Sequence, residues 1–82
     1  MTLQDVLDKV CNGMSDNKTS QRLGISRVSF SNYRNGHKTP SNEILEKFIE
    51  SSDLNPVDVY LAAYAEKISN PMVAEQFRHL AA

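Results

Sequence analysis

The sequence is poor in the usual punctuation. Its 82 residues include one cysteine, three glycines, three prolines and no tryptophan, and neither sign of charge prevails. A single cysteine, Cys11, forms no internal disulfide, which fits a reducing compartment. So few glycines and prolines imply short loops and exclude a low-complexity or fibrous chain. No apolar run is long enough to span a bilayer. Asp5 interrupts the N-terminal region before any signal-peptide core, so the expectation is a cytoplasmic protein without a membrane partner. At 40% hydrophobic and 23% charged, the chain is not disordered. Its length suits one small domain with a marginal core, which a second subunit often completes. The formal charge of −1 argues at face value against a nucleic-acid binder.

What the sequence has in quantity is helical periodicity. Leu3, Val6, Leu7, Val10 and Cys11 recur at helical spacing, opened by Thr2 and Asp5 as a capping box and stopped by Gly13. Ser15 caps a second helix that ends at Gly24, with Thr19, Ser20 and Leu23 inward. Ser26 caps a third helix through about Arg34, closed by Asn35-Gly36. Thr39 or Ser41 caps a fourth, with Pro40 suited to its first turn and Ile44, Leu45, Phe48 and Ile49 as its stripe. Asn55-Pro56 opens a fifth carrying Val57, Leu61, Tyr64 and Ile68, with Tyr60 beside them. Asn70-Pro71 opens a sixth carrying Val73, Phe77 and Leu80. No alternating run of strand length intervenes, so the expected class is all-α.

Residues 17–36 contain two short helices joined at Gly24, the layout of a helix-turn-helix. Leu23, Ile25, Phe30 and Tyr33 supply the shared apolar wedge. At 100° per residue, Arg27, Val28, Ser31 and Asn32 fall on a different arc of the third helix from Phe30 and Tyr33. Arginine pairs bidentately with guanine, asparagine with adenine, and valine touches a thymine methyl, so this arc is a candidate base reader. Lys18 and Arg22 share an outward face of the second helix as candidate phosphate contacts, and His37 and Lys38 follow the third helix where further phosphate contacts belong. The stretch from Lys18 to Pro40 holds five bases and no acid, or +5; the other four bases face ten acids, or −6. Such segregation is the electrostatic footprint of a DNA reader.

The run from Thr19 to Gly36, with its Gly24-Ile25-Ser26 turn and Ser31-Asn32-Tyr33-Arg34-Asn35-Gly36 ending, resembles the helix-turn-helix of the lambda-repressor-like, Cro-type family. Lys38-Thr39-Pro40 and the helix to Glu50 match its usual continuation, and the likeness extends over about residues 2–68. The resemblance implies a five-helix DNA-binding domain, with an additional C-terminal helix in this chain. It also implies major-groove binding by the third helix and dimers on two-fold operators. By position it assigns base contacts to Arg27, Val28 and Asn32, with Ser31 beside them, and phosphate contacts to Asn17, Lys18, His37, Lys38 and Thr39. Thr19 and Ser20 stand where the family usually has an aliphatic residue and alanine, and Asp16 where an amide side chain often begins the helix.

The expected organisation is therefore a DNA-binding domain over 1–68, with its motif at 17–36, and a dimerisation helix over 69–82. Tyr64, Ile68, Val73, Phe77 and Leu80 are the candidate interface, since the apolar residues here exceed what a five-helix globule buries. Packing across a two-fold axis is favoured over folding back onto the same domain. Arg34 reads as a solvated helix-end charge, Cys11 as core, His37 and His79 as solvated, and Glu43, Glu46, Glu50 and Asp53 as a solvated face. No catalytic constellation, cofactor motif or metal-ligand spacing stands out. The expected function is a non-enzymatic, sequence-specific regulator of double-stranded DNA. A phage or mobile-element repressor, nucleoid-associated when bound, is the leading form. The alternatives are an antitoxin-type autorepressor with a toxin-binding C-terminal helix, and an interaction module without a DNA face.

Overall fold

The computed structural model describes residues 1–82, and every regular element in it is helical. The six helices are α1 (Leu3–Cys11), α2 (Asp16–Leu23), α3 (Arg27–Arg34), α4 (Asn42–Glu50), α5 (Pro56–Ala65) and α6 (Pro71–Leu80). None is long and apolar enough to cross a membrane.

Each helix starts where a side chain takes over an orphan backbone N–H. Thr2 and Asp5 exchange bonds in a capping box, and the Thr2 amide is one of the groups that hold the Asp5 carboxyl below its usual range. Ser15, Ser26 and Ser41 cap the next three helices, and Asn55 and Asn70 cap α5 and α6 ahead of a first-position proline. Two boundaries differ from the sequence reading. α1 ends in the left-handed conformation at Asn12 (φ 48°), which asparagine tolerates, and Gly13 follows it there. Ser41 rather than Thr39 is the fourth cap, so Pro40 precedes the helix and lies buried.

Leu3, Val6, Leu7, Val10 and Cys11 of α1 meet Leu23, Ile25, Phe30, Tyr33, Leu45 and Phe48 in one core, where Tyr33 sits edge-on to Phe48 with ring centres 6.5 Å apart. α5 rests on α1 and α4, and α6 packs along α5. The stripe expected on α5 is corrected. Val59, Ala62, Ala63 and Ala65 are its buried residues, Val57 is exposed, and the helix stops at Ala65 short of Ile68. Small alanines let neighbouring helices approach closely, whereas periodicity read from large side chains points to the other face. α6 likewise turns Ala74 inward, Ala81 just beyond it is also buried, and the Met1 amino group donates to the Arg78 and Ala81 carbonyls, each at 2.7 Å. The sixth helix thus folds back onto its own domain, with Val73 and Leu80 on the outside.

Candidate nucleic-acid interface

α2 and α3 form a hairpin of two eight-residue helices whose connection runs through Gly24. Gly24 takes φ +71°, closing α2 in the left-handed conformation, and the Ile25 amide reaches back to the Ser20 carbonyl at 2.9 Å. The Lys47 ammonium, from α4, donates to the Leu23 carbonyl at 3.3 Å, so the apex of the hairpin is anchored from beneath. The polar residues at the α2–α3 contact are satisfied locally. Buried Thr19 donates its hydroxyl to the Ser15 carbonyl at 2.9 Å, and buried Ser20 to the Asn17 carbonyl at 2.7 Å. Their hydroxyls therefore bury at little cost.

With Phe30 and Tyr33 inside, the opposite arc of α3 points outward. Arg27 and Ser31 are exposed, Asn32 is half-buried, and Val28 is 69% exposed. An apolar side chain so open has almost nothing to pack against within the chain. Asn35 donates its amide to the Ser31 hydroxyl at 3.2 Å, orienting both at the end of this arc. The Asn32 carbonyl accepts from the amides of His37 (2.9 Å) and Lys38 (3.3 Å), fixing the loop after the helix. His37 and Lys38 are exposed there and Thr39 is half-buried. Asn17 and Lys18 are exposed at the start of α2, where the Lys18 amide bonds the Ser15 cap.

The charges are arranged less simply than their order in the chain implies. Every ion pair of the protein is made by Arg34 or Arg78, so Lys18, Arg27 and Lys38 have no carboxylate partner. Arg22 directs its guanidinium to the Val10 carbonyl at 2.6 Å and borders a polar groove with Lys9, Asn12, Glu50 and Asp53. One nitrogen of this exposed guanidinium is thereby tied to the last turn of α1. Arg34 corrects the expectation of a solvated helix-end charge. Its side chain is only 21% exposed and is paired with Asp8 at 2.7 Å and Asp16 at 3.2 Å. Burial opposes its charge, but the hydrogen bonds and charges of Asp8 and Asp16 outweigh burial and raise its pKa.

Gln4, Asp8 and Asp16 carry no role in the sequence reading, yet they complete this cluster. Gln4, Asp8 and Cys11 follow one another at i, i+4 and i+7 along α1, beside its buried stripe, which is the only local sign of a second contact line. Cys11 is buried, as its place in the stripe requires, and His37 and His79 are exposed.

At the other end of the molecule, α5 and α6 enclose an open apolar groove of about 300 Å³ lined by Pro56, Val57, Tyr60, Leu61, Tyr64 and Phe77. Of the candidate interface residues, Tyr64 and Phe77 are brought together here. Val73 and Leu80 are exposed on α6, and Ile68 is half-buried beyond the end of α5. The rim is polar. Tyr60 donates to Glu46 at 2.6 Å, which raises the tyrosine pKa, Tyr64 donates to Asn42 at 2.8 Å, and the Lys67 ammonium lies 4.9 Å from the Tyr64 ring centre. No family model, no characterised protein and no solved structure is detectably similar to the chain.

Proposed function

We propose that this protein is a sequence-specific regulator of double-stranded DNA with a lambda-repressor-like domain, and that it acts as a dimer, as a repressor of phage or mobile-element type. The observation that carries the reading is the outer face of α3. Arg27 and Val28 stand open there with no partner that would explain them, Ser31 beside them meets only Asn35, and Lys18 and Lys38 have no carboxylate partner. An exposed valine beside an unpaired arginine and an asparagine is poorly suited to solvent and well suited to base edges in a major groove. Lys18, Lys38, His37, Asn17 and Thr39 supply the phosphate contacts that set register; Arg22 is left out because its guanidinium serves Val10.

One α3 helix reads one half-site, so a two-fold operator needs two copies with their α3 helices about 34 Å apart. The α5–α6 groove supports this arrangement. Tyr64 and Phe77 line it, and the exposed Val73 and Leu80 extend its apolar face. Selection of bound duplexes from random DNA tests both parts. Paired half-sites one helical turn apart are expected, and Arg27→Ala relaxes preference at one base per half-site at a cost of about 1–3 kcal/mol. Equal losses on selected and random duplexes would remove Arg27 from base reading, and failure to bind any duplex at low salt would end the proposal.

A further inference from the structure

We infer that Arg34 is a positioning residue whose guanidinium clasps the end of α3 to α1 and α2 and so sets the pose in which the exposed face of α3 meets DNA. This inference rests on the DNA-binding reading. The apex of the α2–α3 hairpin is fixed by the Gly24 turn and Lys47. The opposite, open side is bridged by Arg34, which joins the last residue of α3 to Asp16, the first of α2, at 3.2 Å. Another nitrogen of the same planar group reaches Asp8 of α1 at 2.7 Å and the Gln4 side-chain oxygen at 3.4 Å. Gln4 in turn donates to the Tyr33 carbonyl at 3.1 Å, so the last turn of α3 is held through both its backbone and its side chain.

Geometry gives this clasp a functional consequence. α3 has eight residues. A helix of that length is about 12 Å long, so a swing of about 5° about its apex displaces the far end by about 1 Å. That is enough to spoil bidentate hydrogen bonding of Asn32, near the far end, to a base edge, while Arg27 at the apex end hardly moves. Flexible lysines on phosphates tolerate the same displacement. Loss of the orientation that the clasp supplies therefore lowers affinity for the operator more than affinity for random duplex. A lysine at this position carries the charge but lacks the fork needed to span two carboxylates on different helices.

The test compares wild type with Arg34→Ala, Arg34→Lys and Asp8→Asn on selected and random duplexes, at a temperature where circular dichroism shows each variant folded. Arg34→Ala is expected to lose about tenfold on the selected duplex, comparable with losing one good base contact. Because it also uncovers the Asp16 carboxylate beside Lys18, it is expected to weaken random DNA as well, but by less than the selected duplex. Asp8→Asn is the sharpest variant, because removing an acid favours DNA electrostatically, whereas loosening the clasp predicts weaker operator binding. Unchanged or tighter operator binding by Asp8→Asn overturns the inference. So does a slope shallower by about 0.9 per protomer in Arg34→Ala, which would mean that Arg34 touches a phosphate. If wild type discriminates no sequence at all, the DNA reading fails first, and amide hydrogen exchange still judges the clasp. Lower protection in the last turn of α3 alone, with α5 and α6 unaffected, supports it in Arg34→Ala; unchanged protection in α3 refutes it.

Discussion

Salt dependence offers the most direct test of the proposed interface, because the structure changes how many charges it supplies. Counting along the chain gives five cations between Lys18 and Pro40. Arg34 is paired with Asp8 and Asp16, and Arg22 is turned to Val10, which leaves Lys18, Arg27 and Lys38 for DNA. Each phosphate neutralised on duplex DNA contributes about −0.9 to the slope of log K against log salt; with Arg27 on a base, Lys18 and Lys38 give about −1.8 per protomer, and a dimer about −3.6. Between about 50 and 200 mM salt, that dimer loses on the order of 10² in affinity. Four such cations per protomer, with Arg22 and Arg34 also on phosphates, would give about −7 per dimer and a loss greater by about two further decades. Fluorescence anisotropy with a labelled duplex at a series of salt concentrations separates these values. Lys38→Ala should flatten the dimer slope by about 1.8 and weaken selected and random duplexes alike. A wild-type slope near about −7 would refute the reading that Arg22 and Arg34 are held by contacts within the protein, and a nearly flat slope would refute the interface itself.

Other perturbations address the fold and the dimer. Asp5 is held below its usual pKa of 3.8 chiefly by the Thr2 backbone amide and hydroxyl. Its contribution to stability is therefore complete above that pH and lost as pH falls through the lowered folded value. Asp5→Asn, which keeps a side-chain acceptor without its titration, should remove this acid limb from urea-unfolding curves between about pH 2 and 6. Gly24→Ala should cost about 1 kcal/mol, seen as a melting point lower by about 5 °C. The added carbon would meet only the Lys47 ammonium, at 3.7 Å, so the cost lies in the positive φ; an unchanged melting point would count against it. Phe77→Glu should leave helicity intact, make the protein sediment as a monomer and weaken two-half-site operators more than single half-sites; a dimer that survives it places the interface elsewhere.

How much of this was legible in the sequence depends on the reach of each interaction. The five caps Ser15, Ser26, Ser41, Asn55 and Asn70 act within three residues, so the order and starts of the helices follow from local chemistry. The outer arc of α3 also follows, because Phe30 and Tyr33 choose the inner face and helical geometry assigns the rest. α5 was misread because its buried side is built from Ala62, Ala63 and Ala65, whose small side chains give periodicity no weight. The partners of Arg34 were not legible either. Asp8 lies 26 residues before it and Asp16 18 residues before it, and only the packing of α3 against α1 and α2 brings them together.

That pairing also revises what charge segregation means for this chain. The tally of +5 began at Lys18 and so left out Asp16, which lies at the head of α2, next to the proposed phosphate contacts of Asn17 and Lys18. An unpaired acid there would repel the backbone that those residues are meant to hold. Arg34 places a guanidinium nitrogen 3.2 Å from that carboxylate, removing one cation from the exposed total and quenching the one acid that would oppose the rest. The net charge of the face is hardly altered by the pair, but its distribution is. Positive charge remains on Arg27, Lys18 and Lys38, around the arc that carries Val28, Ser31 and Asn32, and the acid is held in the clasp. The same interaction that orients α3 therefore clears the electrostatic approach to it. For this reason Asp16→Asn should raise affinity for random DNA, while Asp8→Asn, which loosens the same guanidinium from α1, should show the loss of orientation as weaker operator binding.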